Sequence, residues 1–139
     1  MGAQIRNYDV VKISGTTTSG GAAADDSPNA VTGKIIGVWV DGTNLSNGAD
    51  LTLNAVYTDV DGVEILGENI INNADVGNAT LNEFYPRRAM EDTADADLLF
   101  AAAGTIVPTE FAVFEAKLRV TIANGGNAVA YAVRVLMEV

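Results

Sequence analysis

The side chains of this chain that could perform chemistry are carboxylates, arginines and a single tryptophan. None of its 139 residues is a histidine or a cysteine. A Ser-His-Asp triad, a thiol nucleophile, a zinc site with nitrogen and sulfur ligands and a disulfide framework are therefore excluded. Catalysis by carboxylates alone would need a paired-carboxylate or metal-binding motif, and none stands out. We expect a protein that is not an enzyme and that uses no cofactor.

Three carboxylates, those of Asp59, Asp61 and Glu64, surround Gly62. Hard cations such as calcium favour clusters of oxygen ligands, so these three residues are a candidate metal site. Their spacing does not match the EF-hand loop, which needs a further ligand before the glycine and a glutamate further along the chain. An Asp-Gly hairpin turn explains the same residues more simply and is the favoured interpretation.

One basic cluster stands within the acidic centre of the chain: Arg87 and Arg88, directly after Tyr85 and Pro86. Two guanidinium groups could bind carboxylates on a partner surface, and Pro86 would hold them on a stiff corner. These four residues are therefore the candidate partner-binding site. The alternative is that the arginines neutralise nearby acids, namely Glu83, Glu91 and Asp92.

Two further features have both a functional and a structural interpretation. An acidic run consists of Glu91, Asp92, Asp95 and Asp97. Paired carboxylates can perform acid–base chemistry, as in glycoside hydrolysis, but a run of charges is more typical of a solvated loop. Trp39 could be a stacking platform for a sugar, but apolar residues flank it on both sides, so we predict that it packs in the core.

The net charge of −10 is distributed unevenly. Positions 41–115 hold 14 acids and two bases, a net charge of −12, whereas the remaining positions have a net charge of +2. An acidic surface repels the nucleic-acid backbone and anionic membranes, so we expect neither as a partner.

Apolar and polar residues alternate with a period of two along much of the chain, which is typical of β-strands. The clearest segments are residues 8–14, 31–40, 49–58, 63–66, 116–123 and 128–139. About seven or eight short strands separated by turn residues indicate a single all-β domain, an antiparallel β-sandwich or jelly roll. We place an N-terminal strand and a flexible arm in residues 1–30 and the sandwich body in residues 31–139.

The segment 31–40 is apolar on both faces, which is typical of a central strand. One face would carry Ile36, Val38 and Val40, and the other Ile35, Gly37 and Trp39. The segment 116–123 would direct Leu118, Val120 and Ile122 inward. A tight hairpin at residues 124–127 is expected to pair it with segment 128–139, because the glycines there supply positive φ angles.

Two stretches lack a strand pattern. Residues 15–29 have few side chains large enough to anchor a core, so we predict a mobile arm or a loose hairpin about Gly20 and Gly21. Between residues 67 and 104, turns are expected at positions 72–73 and 77–78, and a short helix at positions 89–103.

Several short segments, taken in order, carry a family resemblance. They are residues 31–35, residues 48–53, residues 65–73, the step Tyr85-Pro86-Arg87, and residues 118–126 with the sequence Leu-Arg-Val-Thr-Ile-Ala-Asn-Gly-Gly. Together they resemble small all-β proteins encoded among the head genes of tailed bacteriophages, the capsid decoration or cement proteins. The similarity covers roughly residues 31–139, and the Pro-Arg step is its most distinctive part.

The resemblance implies a non-catalytic β-sandwich on the outer surface of the virion, where it would stabilise the capsid by bridging major capsid protein subunits. We expect a homo-oligomer, a dimer or trimer, that touches the shell through residues 1–29 and 85–97. Deletion of residues 1–29 would then weaken attachment and leave the fold intact. The alternative is a non-catalytic binding module, such as a carbohydrate-binding β-sandwich or a tail or connector accessory, and copy number per particle separates the two hypotheses.

Overall fold

The computed structural model of the chain describes residues 6–89 and 108–139. In that part of the chain there are ten β-strands and no helix. The strands are β1 Tyr8–Thr16, β2 Ala23–Asp26, β3 Val31–Asp41, β4 Asp50–Thr58, β5 Glu64–Asp75, β6 Asn82–Phe84, β7 Arg87–Ala89, β8 Pro108–Glu110, β9 Ala112–Ala123 and β10 Ala130–Glu138. The prediction of an all-β fold is confirmed. None of the described residues forms a helix with the length and hydrophobicity to cross a lipid bilayer.

Eight strands form one antiparallel hydrogen-bonded sheet in the order β1-β10-β3-β9-β4-β5. β2 is added beside β9 and β6 beside β3, while β7 and β8 pair separately with each other. β9 joins the two halves of the sheet, since its first residues pair with β3 and residues 117–123 pair with β4. Glu115, at the change of partner, has a positive φ of 50°, and its N–H donates to the hydroxyl of Thr32 at 3.0 Å.

Side chains from both halves of the sheet form one hydrophobic core cluster. Members that are almost completely shielded include Ile13, Ile35, Leu51, Leu53, Leu118, Ile122, Val133 and Met137. The inward direction predicted for Leu118, Val120 and Ile122 is confirmed. The arrangement is compatible with the predicted sandwich or jelly roll, because apolar faces of antiparallel strands meet across a shared interior.

In β3 the predicted division of faces is wrong at Ile36. Ile35 is fully buried with Val38 and Val40, whereas Ile36 is only partly buried. The cause is a β-bulge, because Leu136 is opposite Gly37 but the next residue of β10 is opposite Ile35. A bulge inserts one unpaired residue and therefore reverses the alternation beyond it, which period-two reasoning cannot anticipate.

Residues 15–29, predicted to be a mobile arm or a loose hairpin about Gly20 and Gly21, pair with the body of the sheet on both sides of a turn at these glycines. β1 continues to Thr16, and β2 pairs with the end of β9. Thr17 and Ser27 are buried: the Thr17 hydroxyl donates to the carbonyl of Gly126 at 2.6 Å, and the Ser27 hydroxyl accepts from the N–H of Leu118 at 3.0 Å. Small polar side chains and backbone groups, rather than large apolar ones, attach this segment.

A buried tyrosine adds a further link between β2 and the body. The Tyr131 hydroxyl donates to Asp25 Oδ2, and the ring is only 4% exposed. Burial raises the pKa of Tyr131, and the hydrogen bond to Asp25 raises it further. Gly15 lies directly opposite Tyr131 and has no room for a side chain, since a Cβ there would overlap the Asp25 carboxylate.

Residues 124–127 were predicted to form a tight hairpin, but the two strands that they join do not pair with each other. They connect one half of the sheet to the other. β9 pairs with β2, β3 and β4, whereas β10 pairs with β1 and β3. The positive φ angles expected there do occur, at Asn124 (58°) and Gly126 (96°). Turn chemistry was therefore predicted correctly, but the partner of the following strand was not.

The turn predicted at positions 72–73 lies inside β5 as an irregularity of the strand. Asn73 has a φ of 47°, a conformation that asparagine tolerates, and its N–H donates to the Thr52 hydroxyl at 3.2 Å. The turn predicted at positions 77–78 is present, with Asn78 at a φ of 58°. Almost all of the helix predicted at positions 89–103 lies outside the described residues.

Candidate functional site

The outward face of β1, β10 and β3 carries a row of side chains suited to ligand binding. In the strand register Lys12 is opposite Arg134, Arg134 is opposite Trp39, and Trp39 is opposite Glu83 of β6. Directly opposed residues on antiparallel strands point to the same face with Cβ atoms about 5 Å apart. Two cations, an indole and a carboxylate therefore stand side by side.

Three members of this row, Lys12, Arg134 and Trp39, line an open groove with a volume of about 760 Å³. Its lining residues are Val10, Lys12, Trp39, Asp41, Thr80, Leu81, Ala132 and Arg134. A second hollow of about 170 Å³ shares Asp41 and Ala132 with it. The larger groove lies within the range of roughly 300–1,000 Å³ that is typical of small-molecule sites.

The prediction that Trp39 packs in the core is wrong. Its side chain is only partly buried and does not belong to the core cluster, which receives Val38 and Val40 from the opposite face of β3. The apolar residues on either side of Trp39 in sequence point into the core, whereas the indole points to the other face and lines the groove.

The two sides of the groove differ in charge. Lys12 and Arg134 are exposed, and neither forms an ion pair or hydrogen bond with a described residue. Asp41 Oδ1 accepts hydrogen bonds from the Thr43 hydroxyl at 2.7 Å and from the Thr43 N–H at 3.0 Å. These bonds, and more weakly the charge of Arg134, hold the pKa of Asp41 below its ordinary value, so this carboxylate is ionised at neutral pH.

Tyr85, one of the four predicted partner-binding residues, lies beside this groove. Its ring covers Gly37, the next outward position of β3, where an added Cβ would stand 3.3 Å from Tyr85 Cε1. The ring is 58% exposed, and its hydroxyl donates to Glu83 at 3.2 Å. The negative charge of Glu83 raises the pKa of Tyr85.

The structure places the two arginines of that cluster elsewhere, on the short strand β7. The Arg87 guanidinium donates to the carbonyl of Pro86 at 2.8 Å. Arg88 forms an ion pair with Glu68 of β5 at 3.0 Å, both side chains being more than a third exposed. Among the described residues, the acid that pairs with Arg88 is thus 20 positions away in sequence. The proposal that these residues contact a partner stays a prediction.

Two of the three candidate metal-binding carboxylates at the β4–β5 turn, those of Asp59 and Glu64, have other partners. Asp59 Oδ1 accepts from the backbone N–H groups of Asp61 at 2.8 Å and Val63 at 2.9 Å. Gly62 has a φ of 80°, and Glu64 is 3.0 Å from Arg119. Among the described residues no group of three or more acidic side chains is arranged to hold a metal ion. The acidic run at positions 91–97 lies outside the described residues.

A charged network centred on Arg119 was not indicated by the spacing of residues in the sequence. Arg119 on β9 forms two hydrogen bonds with Asp26 on β2, at 2.6 and 2.9 Å, and a third with Glu64 on β5 at 3.0 Å. Asp26 and Arg119 are about three-quarters buried. The hydrogen bonds from Arg119 hold the pKa of Asp26 below its ordinary value and, with Glu64, raise the pKa of Arg119.

This network predicts a pH-dependent contribution to stability. A carboxylate with a depressed folded-state pKa stabilises the fold fully above the ordinary aspartate pKa of about 3.9, and the contribution is lost as the pH falls through the lower folded-state value. Asp26→Asn should lower the free energy of unfolding at pH 7 by about 1–2 kcal/mol, since charge-assisted bonds are lost. Denaturant titration at several pH values measures this.

In that experiment the wild type and Asp26→Asn should differ by a constant amount between pH 7 and about 5 and converge below about 4. Asp9→Asn is the control, because Asp9 is exposed and bonds only the N–H of its neighbour Val10. A difference that persists unchanged at pH 3 would show that Asp26 acts through packing and not through its charge.

No protein-family model matches this chain, and no curated protein sequence matches it. Among solved structures, the chain is similar to a protein in the structure of infectious bursal disease virus Gx strain, with 10% identity and a TM-score of 0.47, covering 96% of this chain and 32% of that one. A chain of the Gt strain gives 13% identity, a TM-score of 0.42 and coverages of 96% and 33%. The chain therefore spans about a third of the viral chains that it matches.

A third similar structure is that of FLHE, with 13% identity, a TM-score of 0.39 and coverages of 94% and 96%. At these identities and TM-scores the three similarities carry no argument about function.

Proposed function

We propose that this chain is a non-catalytic structural protein of a bacteriophage virion, which binds the outer surface of the capsid and bridges neighbouring major capsid protein subunits. The resemblance of residues 31–139 to capsid decoration proteins supports the proposal. As a dimer or trimer it would occupy symmetry axes of the shell, where many weak contacts multiply into strong attachment.

The observation that carries this proposal is the exposed apolar end of the β4–β5 hairpin. Four apolar residues there have more than half of their surface exposed: Val60 (101%), Val63 (57%), Ile65 (51%) and Leu66 (58%). Ile65 and Leu66 are consecutive in a strand and so point to opposite faces, which means that both faces of the hairpin end are open. Contiguous exposed apolar side chains are typical of protein contact sites.

The charges around this hairpin end indicate what kind of surface it fits. Asp59 and Asp61 accompany the apolar side chains in the same stretch of chain, whereas Glu64 and Glu68 are paired with Arg119 and Arg88. An apolar hollow with a basic rim would complement them, and such complementarity sets specificity and association rate more than affinity. This hairpin is a different surface from the two that the sequence favoured, residues 1–29 and 85–97.

The proposal predicts the behaviour of the variant Ile65→Ser/Leu66→Ser. Removing two exposed apolar side chains, at roughly 1–2 kcal/mol per side chain buried in the contact, should weaken binding to shells that lack this chain by roughly 30- to 1,000-fold. Co-sedimentation with such shells over a range of protein concentrations measures the occupancy.

The matched control is Phe114→Ser/Val139→Ser, which removes two apolar side chains that are 68% and 59% exposed at other places on the surface. Both variants should keep the thermal midpoint of the wild type. Equal occupancy for the wild type and the hairpin variant would exclude the hairpin as the shell contact.

A further inference from the structure

We propose that the groove on the outward face of β1, β10 and β3 binds an acidic saccharide, a chain of carboxylate-bearing pyranose rings. One ring would stack on Trp39, and its carboxylate would lie between Lys12 and Arg134. The inference rests on this groove and is independent of the hairpin contact proposed for the capsid.

The aromatic part of the site is built on a rigid strand. Trp39 lies in β3, which pairs with β10 on one side and with β6 on the other at this position. Neighbouring strands therefore hold the backbone beneath the indole from both sides. Tyr85 lies over Gly37, two residues further along the same face, and is mostly exposed. Positions 37 and 39 of β3 are roughly 7 Å apart, and the aromatic side chains over them present apolar faces to which pyranose rings bind.

The charged part of the site explains why the saccharide should be acidic. Lys12 and Arg134 stand directly opposite each other, and neither side chain forms an ion pair with a described residue, although the charge of Arg134 acts weakly on Asp41. Like charges in that position disfavour each other. In contrast, Arg119 and Arg88 both have acidic partners. A ligand carboxylate between Lys12 and Arg134 would be attracted by both cations.

The carboxylates at the groove distinguish a saccharide from an acidic peptide. Asp41 lines the groove, and Glu83 is the cross-strand neighbour of Trp39. Both are acceptors of hydrogen bonds, which sugar hydroxyls donate. An acidic peptide can donate only through its backbone N–H groups, whereas each pyranose ring carries several hydroxyl donors beside its carboxylate. The groove therefore fits a ligand that combines negative charge with many hydroxyl donors.

The chain provides its own reporter for this site, because Trp39 is its single tryptophan. Tetragalacturonate should cause a saturable change in the tryptophan emission, with a dissociation constant at least tenfold lower than that of a neutral glucose tetramer. The affinity should fall as the salt concentration rises, since an ion pair at an exposed site is screened. Absence of a saturable change, or equal affinity for the neutral tetramer, would overturn the proposal.

Paired variants test the assignment of residues. Lys12→Gln/Arg134→Gln should weaken tetragalacturonate binding at least tenfold with an unchanged thermal midpoint. Lys34→Gln/Lys117→Gln removes two charges from exposed positions outside the groove and should leave binding unchanged. If tetraglutamate binds as tightly as tetragalacturonate, or if both double variants weaken binding equally, the site responds to charge alone and the saccharide proposal is wrong.

Discussion

Deletion of residues 1–29 is expected to leave a chain that does not fold. The deletion removes β1, which supplies Val11 and Ile13 to the core, and β2, which pairs with β9. It also leaves Tyr131, the partner of Asp25, with a buried hydroxyl that has lost its acceptor. Losses of about 1.5–3 kcal/mol per apolar side chain, together with two strands, exceed what a domain stable by about 5–15 kcal/mol tolerates.

Circular dichroism and thermal denaturation of the truncated chain measure this outcome. A deletion of residues 1–6, which stops short of β1, is the control and should unfold cooperatively near the wild-type midpoint. If the chain without residues 1–29 showed a cooperative transition at the wild-type temperature, β1 and β2 would be dispensable for folding. The conclusion that this segment is an integral part of the sheet would then be wrong.

The second large effect is expected for Leu118→Ala. Leu118 is fully buried at the middle of β9, close to the point where this strand changes partner from β3 to β4. Its loss would leave a cavity between the two halves of the sheet. Leucine-to-alanine substitutions in such positions cost about 3–5 kcal/mol, because the lost transfer free energy adds to the cost of the cavity.

Chemical denaturation gives the free energy of unfolding for this variant. The neighbouring Lys117→Ala is the matched control: its side chain is exposed on the opposite face of the same strand, and its effect should stay within about 0.5 kcal/mol. Similar losses for the two variants would mean that β9 does not separate an inner from an outer face at this point.

Periodicity predicted the parts of the fold in which the alternation of faces is uninterrupted. The inward face of β9 and the β4–β5 hairpin at Gly62 are both present. Period-two reasoning failed at Ile36 because a bulge shifts the alternation, and at residues 124–127 because a turn sequence does not identify the strand that follows it. Local sequence patterns indicate where a turn occurs, but they do not indicate which distant strand the following strand pairs with.

The attachment of residues 15–29 was missed for a different reason. Thr17 and Ser27 are small and polar, and hydrophobicity gives no signal for a hydroxyl buried by hydrogen bonds to backbone groups. The candidate groove was missed in the same way. Trp39 has apolar neighbours in sequence, but Lys12 and Arg134 become its neighbours only through the pairing of β1, β10 and β3.

The most direct test of the proposed function is the copy number of this chain in gradient-purified virions of the phage that the proposal implies, measured by quantitative mass spectrometry against the major capsid protein. The account predicts a ratio near one, or a simple fraction of one, because a bridging protein occupies equivalent positions over the whole shell. A handful of copies per particle, as for a tail or connector part, or complete absence from the particle would contradict it.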